Sequence, residues 1–253
     1  MSEEDFQPAG DRFPPTRRSV IEAVRSIDAE ERESALEALC AAYWKPVYKY
    51  IRLRWNRPLE EAQDLTQGFF VEVLERELLE KFDPKKSRLR TYLRMCVDSF
   101  VSNEQKAGRR QKRGGAMPHV ALDFAAAEEE LGGAAMDPAA IPSPESLEEF
   151  FEKEWVRSLF GLAVDDLREL CTAEGKEKAY QLFEKYDLEE ARASTSYAQL
   201  AQEFGMAATD VTNALAWARR QFRQIALQRL REMCGSEEEF RREARAVFGL
   251  ELP

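Results

Sequence analysis

The apolar residues between Leu89 and Val101 recur at the spacing of one helix face. Leu93, Val97 and Phe100 belong to this series, which continues on both sides at steps of three and four residues. A β-strand over the same residues would send neighbouring members of the series to opposite faces. The same spacing recurs over 36–51 and 65–74, and no segment shows sustained alternation. The sequence therefore predicts an all-α fold.

Composition predicts two helical domains joined by a flexible acidic linker. The N-terminal segment contains four proline and glycine residues and is expected to be a flexible arm, whereas residues 114–146 combine recurring glycine and proline with a run of three glutamates. A short helix is expected around 124–131. The predicted units are the arm 1–18, a first helical domain 19–113, the linker 114–146, a second helical domain 147–234 and a C-terminal helical extension 235–253.

The charges are unevenly distributed. The chain has 253 residues and a formal net charge of −10, yet residues 84–113 carry +8 and residues 114–155 carry −9. The basic block continues a well-formed helix with aromatic residues, which favours nucleic-acid binding over a solvated tail or an acid-binding patch. We also hypothesise that the acidic linker lies against the basic block and exchanges for DNA, the alternative being a solvated linker.

Several classes of protein find no support in the sequence. Glycine-rich nucleotide-binding motifs and a GxSxG motif are missing, and His119 is the only histidine. The four cysteines are far apart and lie in helical patterns, so reduced core residues are expected. We expect no catalytic residue, no metal and no cofactor. Without a long apolar run or a secretory signal, we expect a cytoplasmic protein that does not bind membranes.

The segment "SYAQLAQEFGMAATDVTNALAWARR" has the outline of a helix-turn-helix. Small Ala201 would lie at the helix crossing, Gly205 at the turn, and Val211 would point to the core. The alternative is any two helices joined by a glycine turn. The exposed residues that would read base edges are Thr209, Asp210, Thr212 and Asn213. The arginines that would meet phosphates are Arg219, Arg220 and Arg223.

Three segments in this order resemble the sigma-70 family of bacterial RNA polymerase sigma factors. They are "QDLTQGFFVEVLER", "FDPKKSRLRTYLRMCVDSFVSNEQKAGRRQKR" and "SYAQLAQEFGMAATDVTNALAWARRQFRQIAL". The two-domain layout is similar to that of the extracytoplasmic-function (ECF) group. The resemblance implies a protein that is not an enzyme, that binds the clamp coiled coil and flap of core RNA polymerase, and that initiates transcription at specific promoters.

The resemblance also implies roles for individual residues. The residues that match the polymerase-docking helix are Asp64, Leu65, Gln67 and Glu72. Those that match the helix that captures the −10 promoter element are Arg90, Arg94, Ser99, Asn103, Lys106, Arg109, Arg110, Lys112 and Arg113. The helix-turn-helix would read the −35 element. Anti-sigma proteins or Ser/Thr kinases control members of the group, and Thr66 is a candidate phosphosite.

The chain departs from the family pattern at several positions. Ser99 and Asn103 stand at the family's usual Asn and Asp, and Gly68 stands where the docking helix often has an acid. Two alternatives therefore remain at the level of the sequence. One is a helix-turn-helix DNA-binding regulator without polymerase docking, and the other is a helical adaptor that binds no DNA.

Overall fold

A computed structural model describes residues 19–24, 26, 28–75, 78–107, 122–132, 144–189 and 196–251. Every regular element in these ranges is helical, so the predicted all-α class is confirmed. The helices are α1 (Val20–Val24), α2 (Ala29–Arg54), α3 (Leu59–Glu75), α4 (Leu89–Ala107), α5 (Phe124–Leu131), α6 (Pro144–Ala173), α7 (Glu177–Phe183), α8 (Tyr197–Phe204), α9 (Ala208–Glu232) and α10 (Glu237–Phe248). A 3-10 turn at Leu78–Lys81 follows α3, and a π-helical segment at Glu184–Leu188 follows α7.

The first of two hydrophobic cores forms around α2. Its buried residues come from α1 to α5, from the first half of α6, from the end of α9 and from α10. Tyr43, Phe69 and Trp155 are among its largest fully buried side chains. The apolar series of α4 faces this core, with Leu93 and Val97 almost completely inaccessible to solvent. The 3.6-residue period of the sequence thus decides which face of α4 is buried.

The second core holds the helix-turn-helix segment. It contains residues from the end of α6, from α7, from α8 and from the start of α9. Leu167 of α6, Phe183 of α7 and Leu200 of α8 are buried there. Through these contacts, α8 and the start of α9 pack against α7 and the end of α6.

Helices α6 and α9 each contribute to both cores. In α6, Leu159 belongs to the first core and Leu167 to the second; in α9, Leu215 belongs to the second and Leu230 to the first. The first half of α6, which the sequence analysis assigned to the second domain, therefore packs against α2. The reason is that its apolar face, including Phe151, continues along the first core before the helix reaches the second.

Two elements outside the main motifs occur where the sequence predicts them. The short helix expected around 124–131 is α5, and the expected C-terminal helix is α10. The predicted arm 1–18 and the linker segments 114–121 and 133–143 lie outside the described residues. Within the described ranges, no helix is long and apolar enough to cross a bilayer. Three of the four cysteines are buried there, and burial raises the pKa of Cys40 to about 12.

Candidate nucleic-acid interface

Helix α8 has well-defined signals at both ends. Ser196 and Gln199 form a capping box, in which each side chain accepts a hydrogen bond from the other's backbone N–H, at 3.2 Å and 2.7 Å. The helix ends at Gly205, whose φ of 61° lies in the left-handed region. The Met206 N–H then donates to the Ala201 carbonyl at 2.9 Å. These contacts fix the sharp turn into α9.

The packing of the two helices decides which face of α9 is exposed. Leu200 of α8 and Val211 and Leu215 of α9 all have side chains with 0% exposure. The opposite face of α9 carries an exposed stripe at steps of three to four residues, which we call the α9 stripe: Thr209, Asn213, Ala216, Arg220 and Arg223. Polar groups near the turn are thus followed along one face by two arginines.

Asp210 and Thr212 flank the α9 stripe and are also exposed. The Thr212 hydroxyl donates to the Ala208 carbonyl at 2.9 Å, which leaves its oxygen as an acceptor. Among the described residues, no ion pair engages Arg220 or Arg223. The stripe spans about 21 Å at 1.5 Å per residue, a length that fits a helix lying in a groove with its later turns near a backbone.

The side chain of Arg219 lies outside the α9 stripe and contacts other parts of the protein. Its guanidinium donates to both carboxylate oxygens of Asp187, at 2.8 Å and 3.1 Å, and to the Tyr197 hydroxyl at 3.3 Å. The hydrogen bonds to Asp187 raise the pKa of Arg219. The guanidinium that the sequence predicts to meet a phosphate thus forms a bidentate pair here, which ties α9 to Asp187 of the π-helical segment.

The predicted −10 residue Arg90 is buried as well. Only 5% of Arg90 is exposed, and its guanidinium pairs with Glu243 of α10 and lies 4.9 Å from the ring centroid of Trp155. A weaker contact of 3.4 Å reaches Glu152 of α6. Arg90 thus forms an internal ion pair with Glu243 and does not face solvent.

Helix α10 holds the start of α4 through two glutamates. The Leu89 N–H and the Gly235 N–H donate to the two carboxylate oxygens of Glu239, at 2.9 Å and 2.8 Å. Burial raises the pKa of Glu239 despite these two donors. Glu243 pairs with Arg88 at 3.0 Å as well as with Arg90. Two cations of the basic block, Arg88 and Arg90, therefore share one carboxylate of the C-terminal helix.

The remaining predicted −10 residues divide into three groups. Arg94 pairs with Glu148 at 2.8 Å and with Asp98 at 3.7 Å and is only 17% exposed. Ser99, Asn103 and Lys106 are exposed along one face of α4. Arg109, Arg110, Lys112 and Arg113 lie outside the described residues.

Met95 is a surface residue that the sequence analysis did not single out. It is 56% exposed and lies one turn before Ser99, in line with Asn103 and Lys106. Its position outside the apolar series of α4 is the signal that would have found it. A large exposed apolar side chain next to polar ones offers a surface on which a planar group can stack or pack.

The predicted polymerase-docking residues lie along α3. Asp64 and Gln67 are exposed, whereas Leu65 and Glu72 are half-buried. A Cβ atom on Gly68 would come within 3.2 Å of the ring of Phe100. The glycine therefore permits α3 to approach α4 closely, which gives a packing reason for the missing acid at this position.

Thr66 lies on the inner side of α3. Its side chain is completely buried, and its hydroxyl donates to the Ala62 carbonyl at 2.7 Å. A kinase would therefore reach the predicted phosphosite only after α3 had separated from the core.

The acidic segment makes contacts that differ from those we hypothesised. Glu128 and Glu130 of α5 pair with Arg52, Lys45 and Lys49 of α2, and not with the described part of the basic block, residues 84–107. The acids of the segment 114–155 that do meet this block are Glu148 and Glu152, near the start of α6, through Arg94 and Arg90. Charge counts along the sequence do not single out the α2 cations, because acidic residues of the same helix offset them.

Comparison with known proteins adds no relative. No protein-family model, no curated protein sequence and no solved structure matches the chain.

Proposed function

We propose that the protein is a sigma factor of the ECF type that directs core RNA polymerase to specific promoters. The observation that carries this proposal is the α9 stripe, in which Thr209 and Asn213 precede Arg220 and Arg223 on one exposed face. Side-chain hydroxyl and amide groups read base edges, and arginines hold phosphates. The layout of two helical domains, 19–113 and 147–234, joined by the acidic linker 114–146, belongs to this proposal.

The other half of the proposal concerns α3 and α4. Exposed Asp64 and Gln67 would contact the clamp coiled coil of the polymerase, with Leu65 and Glu72 at the edge of that contact. On α4, Ser99, Asn103 and Lys106 would face the single strand of the −10 element, with Met95 as an apolar neighbour. Arg90 and Arg94 would support this helix through their ion pairs instead of contacting DNA.

The first experiment is run-off transcription with core polymerase on a library of genomic fragments. The proposal expects enriched transcripts whose upstream regions share two sequence elements. Asn213→Ala should change the −35 element selected, because a base contact specifies sequence. Arg223→Ala should weaken all promoters alike and lower the slope of log affinity against log salt by about 1. Arg241→Ala, on an exposed face of α10, is the matched control.

A DNA-binding regulator without polymerase docking is the second candidate. It is favoured by one observation: within the described part of α4, Lys106 is the single fully exposed cation. Co-purification with core polymerase separates the two candidates. If the protein is retained on core polymerase, and if Asp64→Lys abolishes this retention while Asp165→Lys keeps it, the result supports the sigma factor. Sequence-specific DNA binding without retention supports the regulator, and no salt-dependent DNA binding supports an adaptor.

A further inference from the structure

Helix α5 covers a face of α2 on which aromatic and cationic side chains alternate. This face, which we call the α5 seat, comprises Trp44, Lys45, Tyr48, Lys49 and Arg52. The residues follow one another at steps that keep them on one side of a helix. The contacts between α5 and the seat are of two kinds, apolar and ionic.

The apolar contacts come from three residues of α5 that share a helix face. The Phe124 ring lies 5.5 Å from the ring of Trp44 and 4.9 Å from that of Tyr48. Ala127 and Leu131, three and seven residues later, are buried in the first core. The seat therefore accepts a helix with an aromatic anchor at one end and an aliphatic anchor two turns later.

The ionic contacts come from two of three consecutive glutamates. Glu128 accepts from Arg52 at 2.5 Å and 2.9 Å and from the Tyr48 hydroxyl at 2.8 Å. Glu130 accepts from Lys45 at 2.8 Å and from Lys49 at 2.6 Å. Glu129 is exposed, and no ion pair engages it within the described ranges. The seat thus selects negative charge at defined positions of the bound helix.

Helix α5 has eight residues, a length at which a helix is unstable by itself in water and depends on its packing. The residues on either side of it, 108–121 and 133–143, lie outside the described part of the chain. Within that part, the contacts with the α5 seat hold α5 in place.

We propose that the α5 seat is a docking site for an acidic amphipathic helix of another protein, and that α5 is its occupant in cis. The partner helix would present an aromatic residue, an aliphatic residue seven positions later and glutamates between them, as α5 does. A nucleic-acid strand fits less well, because it has phosphates and base planes but no aliphatic group for the buried positions of Ala127 and Leu131. This inference goes beyond the proposed DNA-binding function and does not rest on it.

The test uses a labelled peptide with the sequence of residues 120–133 and the full-length protein. The double variant Phe124→Ala with Glu128→Lys removes the cis occupant by losing the aromatic anchor and reversing one charge. We expect the peptide to bind this variant at least tenfold more tightly than it binds the unmodified protein, measured by fluorescence anisotropy. Glu129→Lys makes the same charge change on the solvent side and should bind the peptide as weakly as the unmodified protein does.

A charge exchange tests the geometry of the seat. Adding Lys45→Glu to the double variant should weaken peptide binding, and a peptide carrying Glu130→Lys should restore it. If circular dichroism shows that the double variant has lost its fold, Glu128→Gln with Glu130→Gln replaces it, with the same expected order of affinities. Equal binding to occupied and emptied proteins would overturn the proposal. So would tighter binding of a single-stranded oligonucleotide than of the peptide to the emptied protein.

Discussion

At the scale of single residues, Arg90 shows how a charge can lie inside the protein. Its guanidinium is buried together with the Glu243 carboxylate, and the face of Trp155 covers it. Removal of both charges from water is unfavourable, and their attraction compensates for it only while both are present. The loss of Arg90 therefore leaves the buried Glu243 carboxylate with Arg88, which is 39% exposed, as its remaining partner.

Arg90→Ala is expected to lower the free energy of unfolding by about 3 kcal/mol, because Glu243 would remain in the core with only the partly exposed Arg88 as its partner. Urea denaturation followed by circular dichroism measures this change. Lys106→Ala, which removes an exposed cation from the same helix, should stay within about 0.5 kcal/mol of the unmodified protein. Similar small effects of both substitutions would show that Arg90 is not the buried partner described here.

The ion pair between Glu128 and Arg52 should make stability depend on pH in acid. The hydrogen bonds from Arg52 hold the pKa of Glu128 below its ordinary value of 4.5. A lowered pKa in the folded state means that this stabilisation is complete above the unfolded value and is lost as the pH falls through the folded one. Glu128→Gln should therefore reduce stability by about 1 kcal/mol at neutral pH and by less near pH 3. Urea titrations of both proteins at the two pH values measure the difference in their free energies of unfolding. A difference that stays constant between the two pH values would contradict this prediction.

At the scale of elements, the turn between α8 and α9 depends on a residue without a side chain. Gly205 has a φ of 61°, while Gly161 in the middle of α6 has no such constraint and open space around it. The same substitution should therefore have opposite effects at the two positions.

Gly205→Ala is expected to destabilise the protein by about 1–2 kcal/mol, because a Cβ atom is unfavourable in the left-handed region. Gly161→Ala should stabilise it by about 0.5–1 kcal/mol, since alanine loses less conformational freedom in a helix. Thermal unfolding of the two variants compares them directly. If Gly205→Ala unfolded at the same temperature as the unmodified protein, the turn would have to adopt another conformation.

The elements themselves were largely predictable from the sequence, and their partners were not. The period of α4, the glycine of the α8–α9 turn and the helical pattern after Gly235 all depend on local spacing, which the sequence displays directly. Periodicity places Arg90 and Lys49 at the edge of the apolar face of their own helices. It does not reveal that α10 and α5 cover those positions, since these contacts join residues far apart in the chain. The predicted site therefore exposes several polar residues, such as Ser99 and Asn103, whereas its cations Arg90 and Arg94 are paired with acids.

At the scale of the whole molecule, α6 and α9 connect the two cores without a break. Neither core can lose its structure without exposing part of a helix that the other core holds in place. A shared helix couples the two stabilities, as expected for a single cooperative unit.

We therefore expect both cores to unfold at the same urea concentration, within about 0.2 M, because of this coupling. Trp217 packs against the second core, whereas Trp44, Trp55 and Trp155 belong to or pack against the first. The Trp217→Phe variant reports on the first core, and its difference from the unmodified protein reports on the second. Two midpoints separated by 1 M or more would instead identify two independently folding domains.

The contacts of α10 also have a consequence for the order in which the protein is made. The Leu89 N–H and Glu239 are separated by 150 positions in sequence, and Arg90 and Glu243 by 153. A ribosome that has just released α4 has therefore not yet synthesised the carboxylates that this helix needs. During all the intervening translation, Arg88 and Arg90 lack their α10 partner, and the part of the first core that Phe240 and Ala244 cover stays exposed. A transcript cut short before codon 239 would yield a chain with this apolar surface permanently exposed, a feature that cellular proteases can recognise.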